Sequence, residues 1–372
     1  MSELGDLITS LVAIDSVNPD LIPGGAGEEE VARFVGEWLR KAGLDVELEE
    51  AAPGRPNVVA VARGSGGGRS LLLNAHTDTV GVGGMEAPHS PRVEDGRLYG
   101  RGAYDMKAGL AAIMLAGREA ARAGLRGDVI VTAVVDEEVG SIGTELLVQR
   151  VRADAAIVTE PTGLEVAVAH KGFVAFQIET VGRAAHGSRP DLGIDAIAKM
   201  GHVVVGLEAL DRALREKRGH PLLGTGSVHA SVVAGGQEFS SYPERCELMA
   251  ERRTIPGETQ AQVELEVVGL LERLANSDPD FLGASRTVFA REPYEVGEDE
   301  PIVELVRRHA GADGVVGQAY WADSGLLAAA GIPTVLYGPG GEGAHAAVKW
   351  VDLAEAERCT DVLVAVASEF CA

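Results

Sequence analysis

The stretch LLLNAHTD, residues 71–78, decides how the chain is read: an apolar strand-like run that finishes in His76 and Asp78. Strand formation gives no reason for an imidazole and a carboxylate at that point. In an open α/β sheet, however, ligands bind in the crevice beyond the carboxyl ends of the strands. Four further segments deliver similar groups: GRGAYDMKAG (100–109) with Asp105, VTAVVDEEVG (131–140) with Glu137 and Glu138, AAIVTEPT (155–162) with Glu160, and GPGGEGAHAA (338–347) with His345. Carboxylates gathered in one crevice repel one another unless positive charge lies between them, and a pair of divalent metal ions would supply it.

Working outward, helical spacing covers 4–14 and 28–42, and Gly43 stops the second. Strand-like runs follow at 45–48, 57–62 and 69–75, then a helix at 107–122, a strand at 128–135, a helix at 142–151 and a strand at 155–159. That alternation predicts an α/β fold, a largely parallel sheet with helices on both faces. After Lys171 the rhythm changes to strand 173–181, helix 194–216, strands 227–233 and 245–253, helix 258–275 and strand 286–291. The order β-α-β-β-α-β is that of the ferredoxin-like split unit. A helix at 302–309, a strand at 332–337 and a helix at 353–370 then resume the first pattern. The expected organisation is one α/β domain, 1–171 and 293–372, interrupted by an inserted ferredoxin-like α+β domain, 172–292.

Composition narrows the function. At 372 residues the chain is long for a single core. With 4% aromatics, that core must be built from Val, Leu, Ile and Ala. The formal net charge of −23 argues against nucleic acid, whose binding depends on neutralising phosphates, and against anionic membrane surfaces. No run of about 18 apolar residues is present for a membrane span. The first fifteen residues lack the pattern of a secretory signal, so a reduced, cytoplasmic setting is the expectation. Cys246, Cys359 and Cys371 match no metal or disulfide spacing.

Each singled-out residue also has a plain structural reading. His76-x-Asp78 alone fits a solvated loop; on an extended segment, residues two apart share a face, which lets Asp78 hold the second ring nitrogen of His76. Asp105 suits a helix N-cap. Neighbours on a strand end point in opposite directions, so Glu138 can bind metal while Glu137 faces substrate. Glu160 precedes Pro161, which keeps the backbone extended. His345 lies in a glycine-rich loop that permits close approach of backbone. Together, two His, two Glu and an Asp form a ligand set suited to two Zn²⁺, with Co²⁺ or Mn²⁺ as alternatives.

The order and local sequence of these five motifs resemble the di-zinc family of aminoacylases, acetylornithine deacetylase, succinyl-diaminopimelate desuccinylase and glutamate carboxypeptidase, over essentially the whole chain. The resemblance implies His76 and Glu160 on one metal, Glu138 and His345 on the other, Asp105 bridging, and Glu137 as general base. It also implies a cis peptide at Asp105–Met106. In VGRAAHGSRP, His186 matches a lid-domain histidine that reaches a neighbouring subunit's site. Arg253, in AERRTIPGE, matches an arginine that binds a substrate carboxylate, for which its planar fork is suited. The chain departs from the family's pattern at Ser240, where relatives carry Asn, at Glu251, where they carry Asp, and at His89, often Phe. The implied activity is hydrolysis of the amide of an N-acyl amino acid by a cytoplasmic homodimer associating through the inserted lid and dimerisation domain. A dipeptidase or carboxypeptidase acting on short peptides uses the same chemistry, and a catalytically silent binding protein is the remaining reading.

Overall fold

The computed structural model describes residues 2–372. The chain divides into two compact units, one running to Val168 and resumed over Val296–Val316 and Ala322–Ala372, the other comprising Ala169–Glu295 and Gly317–Trp321. The breaks differ from 171/172 and 292/293 by three residues each, and the short segment 317–321 was not anticipated. The reason is local pairing. Ala169 and His170 form an antiparallel ladder with Glu295 and Tyr294, and Trp321 packs edge-on to His170 and Phe173 at 6.0 and 6.4 Å.

The first unit is built on a sheet whose strands lie in the order Asp45–Ala52, Arg55–Ala62, Val129–Val134, Leu71–His76, Ala155–Val158, Thr334–Leu336, Ala167–His170. The four central strands, Val129–Val134 to Thr334–Leu336, are mutually parallel, and antiparallel strands finish the sheet on either side. Leu71–His76, Val129–Val134 and Ala155–Val158 are buried at every position, as strands covered on both faces must be. Ala108–Ala123 packs on Leu353–Phe370, and Ile142–Arg150 on Ser324–Ala329. Helix Glu29–Lys41 shows how sequence sets such an element: Val31, Ala32, Val35 and Leu39 form its buried stripe, with acids in the first turn and bases in the last, complementing the helix dipole.

A small sheet of two- and three-residue strands, Gly341–Glu342, Trp350–Asp352, Arg97–Tyr99 and Arg92–Glu94, was not visible in the sequence. Such short strands carry no periodicity to read.

The second unit has the antiparallel order Ser227–Gly235, Arg245–Thr254, Gly172–Val181, Leu282–Arg291. Gly172–Val181 alternates buried and half-buried residues, and Val174, Phe176 and Ile178 meet Met200, Val203 and Leu207 of helix Ala196–Glu216 and Val263, Val267 and Leu270 of helix Gln260–Ser277 in one core. Asp195 caps the first helix, and a Thr259/Gln262 capping box starts the second. The split-unit order expected from the sequence is the one observed.

Candidate metal centre

Strand register brings the motifs level. In the parallel core His76 lies opposite Val134, and Asn74 opposite Val158, so three carboxyl ends finish along one edge. Beyond Val134 the chain turns sharply. Asp136 takes a left-handed φ of 71°, and its carbonyl accepts the Gly140 N–H at 3.0 Å, leaving Glu137 and Glu138 at the turn's tip. Two glycines allow close packing around Glu160: a Cβ on Gly109 would lie 2.3 Å from the Thr159 carbonyl, and one on Gly338 2.2 Å from that of Glu160. Asp105 sits in a single π-helical turn, Ala103–Lys107, where it caps no helix; the Asp105–Met106 peptide is cis. The small sheet carries the other two approaches. Its hairpin arms Gly341–Glu342 and Trp350–Asp352 flank the His345 loop, and Trp350–Asp352 pairs with Arg97–Tyr99, which leads into Asp105.

The five ligand candidates converge. Nε2 of His76 lies 3.2 Å from Oδ1 of Asp105 and 3.8 Å from Oε1 of Glu160. Nε2 of His345 lies 3.6 Å from Oδ2 of Asp105 and 3.1 Å from Oε2 of Glu138. Asp105 therefore presents one oxygen to each of two histidine–glutamate pairs. Glu137 joins the first pair: one donor atom each from His76, Glu137 and Glu160 lie within 4.8 Å of one another, as do those of His76, Asp105 and Glu138. His76 is buried, whereas the His345 side chain is 64% exposed.

The electrostatics explain what such a site needs. Burial and the neighbouring Glu160 push the Glu137 carboxyl well above its ordinary value; burial and Asp105 do the same to Glu160. Burial and Asp105 also raise Glu138. Burial would lower the pKa of His76, but Asp105, Asp78 and Glu160 reverse the sign and hold it well above normal. Oε1 of Glu160 is buried with no hydrogen-bond partner among the described residues. Imidazole nitrogens and carboxylate oxygens directed at a shared space, with an orphaned anionic oxygen among them, fit a hard-to-borderline divalent cation.

Asp78 behaves differently from the sequence expectation. His76 Nδ1 makes its short contact, 3.0 Å, with the Asp78 carbonyl, while the Asp78 carboxylate stands 3.5 Å away. The carboxylate instead accepts the backbone N–H groups of Glu137 and Glu138, both at 3.1 Å, and the Asn18 amide at 2.8 Å. It thus fixes the turn that carries both glutamates. The same Asn18 amide donates to Asp136 at 2.9 Å, and Arg55 donates to Asp136 at 2.9 Å and to both Glu28 oxygens at 2.9 and 2.5 Å. Sequence reasoning missed Asn18, Glu28, Arg55 and Asp136, and their local sequence holds no signal for a partner so distant. It also missed Asp323, buried beside the cluster, raised by that burial to about 6 and accepting from Thr144 at 2.7 Å. His89 stands 3.5 Å from Asp15 and is not among the donor groups of the cluster.

Three expected site residues lie in the second unit. His186 is exposed, with Nδ1 2.8 Å from the Ser188 hydroxyl. Ser240 is exposed and adjacent, its carbonyl accepting the Gly187 N–H at 2.7 Å. Arg253 pairs with Glu251 at 2.6 Å and lies 5.3 Å from the Phe173 ring centroid. Arg252, next to it, is buried and paired with Glu258 and Glu266.

Imidazoles and carboxylates grouped about one aspartate at the carboxyl edge of a parallel sheet make up the donor set of a metallohydrolase. The chain belongs to peptidase family M20/M25/M40, whose sequence pattern matches residues 72–369. It is 32% identical to an acetylornithine deacetylase of Myxococcus xanthus, over 98% of this chain and 96% of that protein. It is 30% identical to an N-formyl-4-amino-5-aminomethyl-2-methylpyrimidine deformylase of Halalkalibacterium halodurans, over 99% of this chain and 94% of that one. Among solved structures, an M20 family metallo-carboxypeptidase from Sulfolobus solfataricus superposes with a TM-score of 0.81 at 18% identity, covering all of this chain and 99% of the other. No helix among the described residues is long and apolar enough to cross a membrane.

Proposed function

We propose that the protein is a di-metal amidohydrolase that removes the acyl group from N-acyl amino acids. The observation that carries this reading is Asp105 presenting its two oxygens to His76 and His345, with a glutamate beside each histidine and Glu137 grouped with His76 and Glu160. Acyl removal from nitrogen is also what the names of the two similar proteins, a deacetylase and a deformylase, describe.

His76 and Glu160 would hold one ion, Glu138 and His345 the other, and Asp105 both; zinc suits the set, with cobalt and manganese as substitutes. When bound, such ions supply Lewis acidity, lowering the pKa of water toward ~7 and polarising the amide carbonyl. Glu137 takes a proton from the attacking water and returns it to the amine nitrogen as the C–N bond breaks, leaving a carboxylic acid and a free amine. A raised affinity for protons suits a group that must accept one and give it up within a turnover. Asp78 and Asn18 hold Glu137 and Glu138 in fixed relation during that cycle.

In this reading the inserted domain, residues 172–292, is a lid and a dimerisation surface. Strand Ser227–Gly235 is a sheet edge, exposed beyond Val228, with Val232 and Val233 near 60% exposure; helix Ala196–Glu216 exposes Ile197, Val204 and Val205. An unprotected apolar edge of this kind is a pairing surface, and a second copy of the chain covers it. His186 of that second copy polarises the scissile carbonyl, and Arg253 with Ser240 receives the substrate carboxylate once Glu251 gives way. The test is hydrolysis of N-acetyl amino acids, N-succinyl amino acids and dipeptides by enzyme loaded with zinc, cobalt or manganese. Faster turnover of dipeptides than of every N-acyl substrate would replace this reading with a peptidase; inactivity of fully metal-loaded protein on all of them would overturn both.

A further inference from the structure

Among the described residues five Lys and Arg side chains are buried: Arg55, Arg101, Lys107, Arg252 and Lys349. Three of them are satisfied. Arg55 has Glu28 and Asp136, Arg252 has Glu258 and Glu266, and Lys107 donates to the Leu11 and Ile14 carbonyls at 3.0 and 2.7 Å. The other two are not. Arg101 and Lys349 are each 1% exposed, and Nε and Nη1 of Arg101 and Nζ of Lys349 have no hydrogen-bond partner among the described residues.

The carboxylates whose charge reaches both are Asp105 and Glu138. Those carboxylates are committed elsewhere: their oxygens address His76 and His345, and in the function proposed above they hold metal. Once the carboxylates are so engaged, the two buried cations stand beside the reaction centre with no counter-charge of their own. That is an unfavourable state for a cation removed from water unless an anion completes it.

An open cavity adjoins Lys349, whose Nζ is itself buried. Its volume is about 560 Å³, and Met85, Ser90, Arg92 and Tyr99 also line it. The Arg92 guanidinium stacks over the Tyr99 ring, 4.6 Å from its centroid, adding a second cation to the wall, and Glu86 is the one acid in that lining.

We infer that Arg101 and Lys349 form an anion subsite beside the metal centre, so that the preferred substrates carry a carboxylate near the scissile amide in addition to the one assigned to Arg253. The inference rests on the amidohydrolase reading and narrows its substrate class to N-acyl derivatives bearing an extra acid. Arg101 supplies a planar fork and Lys349 a point charge, a pair suited to one carboxylate. The acid belongs either to the acyl group or to the amino-acid side chain, and substrates can tell these apart.

The experiment compares kcat/KM of the zinc-loaded full-length enzyme for N-succinylalanine, N-acetylglutamate, N-acetylalanine and N-acetylornithine. One acidic substrate is expected to exceed N-acetylalanine by about 10- to 100-fold, the worth of one hydrogen bond between charged groups, and its identity shows which side carries the acid. Lys349→Met should bring that ratio toward one, and Lys349→Glu should shift preference toward N-acetylornithine. Calorimetric titration of succinate into wild type and Lys349→Met supplies a readout that needs no turnover, with about tenfold weaker binding expected in the variant. Equal rates on acidic and neutral substrates, with a ratio unmoved in both variants at normal metal content, would overturn the subsite. If no N-acyl substrate is hydrolysed, the amidohydrolase reading fails instead. Succinate binding then decides the subsite alone: weakening in Lys349→Met supports it and equal affinity removes it.

Discussion

Arg55→Met tests the buried network behind the catalytic turn. Arg55 donates to Glu28 and Asp136, whose side chains are 0% and 3% exposed, and to Asp20, which is 64% exposed. The Asp20 contact, exposed to solvent, is worth about 0–1 kcal/mol. The two buried acids matter more, since removing one partner from a buried pair costs about 3–5 kcal/mol by leaving charge uncompensated. Asp136 also holds a left-handed φ that asks about 1–3 kcal/mol of a non-glycine residue, and Arg55 and Asn18 hold it there. The expected loss at pH 8 is therefore about 3–5 kcal/mol. The sign of its pH dependence follows from Glu28, which burial raises above its usual value even with Arg55 in place. Without the guanidinium it rises further. A carboxyl with a raised folded-state pKa favours the folded state below its unfolded value, about 4.3, and loses that contribution as pH climbs through the folded value. The variant should thus lose much less at pH 5 than at pH 8, and adding Glu28→Gln should recover most of the deficit. Urea unfolding at both pH values measures this, and hydrogen exchange of the Glu137 and Glu138 amides, which donate to Asp78, reports whether the turn has loosened. A loss below about 1 kcal/mol at both pH values, with unchanged exchange, would refute the reasoning.

Four further outcomes are expected. Glu137→Gln should bind metal with wild-type stoichiometry and lose about 10²–10⁴-fold in kcat, the usual worth of a general acid–base; normal turnover in a metal-loaded variant would reassign the base. Chelation should abolish activity and make the thermal midpoint fall as pH rises from 5 to 8. Glu137, Glu138, Glu160 and His76 all have raised folded-state values and so favour the folded state at the acid end, and re-added zinc should flatten the slope. Val205→Glu with Val232→Lys should shift the protein to monomer in small-angle scattering. If His186 acts across the dimer, His186→Ala should cripple kcat without metal loss, and mixing with Glu137→Gln should restore part of the activity; a fully active monomer would remove that role.

Much of this was readable because two periodicities dominate. Leu71–His76, Val129–Val134 and Ala155–Val158 are largely apolar and buried throughout, so His76, Glu138 and Glu160 stood out as residues a buried strand has no use for. The inserted unit was visible as an order of elements, and its strands ended within a few residues of the expected positions. What stayed hidden is held by long-range pairing. Arg55 meets Glu28 across 27 residues and Asp136 across 81, and Asn18 meets Asp136 across 118. The small sheet was equally silent, although its two- and three-residue strands fix the approach to Asp105 and both arms of the His345 loop. A network of single residues from distant segments leaves no local pattern.

The division among the buried acids is what makes the site a metal centre and not merely an acidic cleft. Glu28 and Asp136 are compensated within the chain by Arg55. Burial works against the Asp78 carboxylate, yet His76, Asn18 and the Glu138 N–H hold it below its usual range. Glu137, Glu138 and Glu160 receive no such treatment and are raised by burial. Asp105 is held below its usual range despite burial, by His76 first and then by Lys349 and His345. Among the described residues the short side-chain contacts of all four are to two histidines and to one another. Arg101 and Lys349 lie within electrostatic reach of two of these acids without bonding to either. A fold that satisfies one group of carboxylates with precise donors drawn from distant segments had the means to satisfy the other. Leaving that second group open fits a charge that arrives from outside the chain, and the two unpaired cations fit an anion that arrives with the substrate.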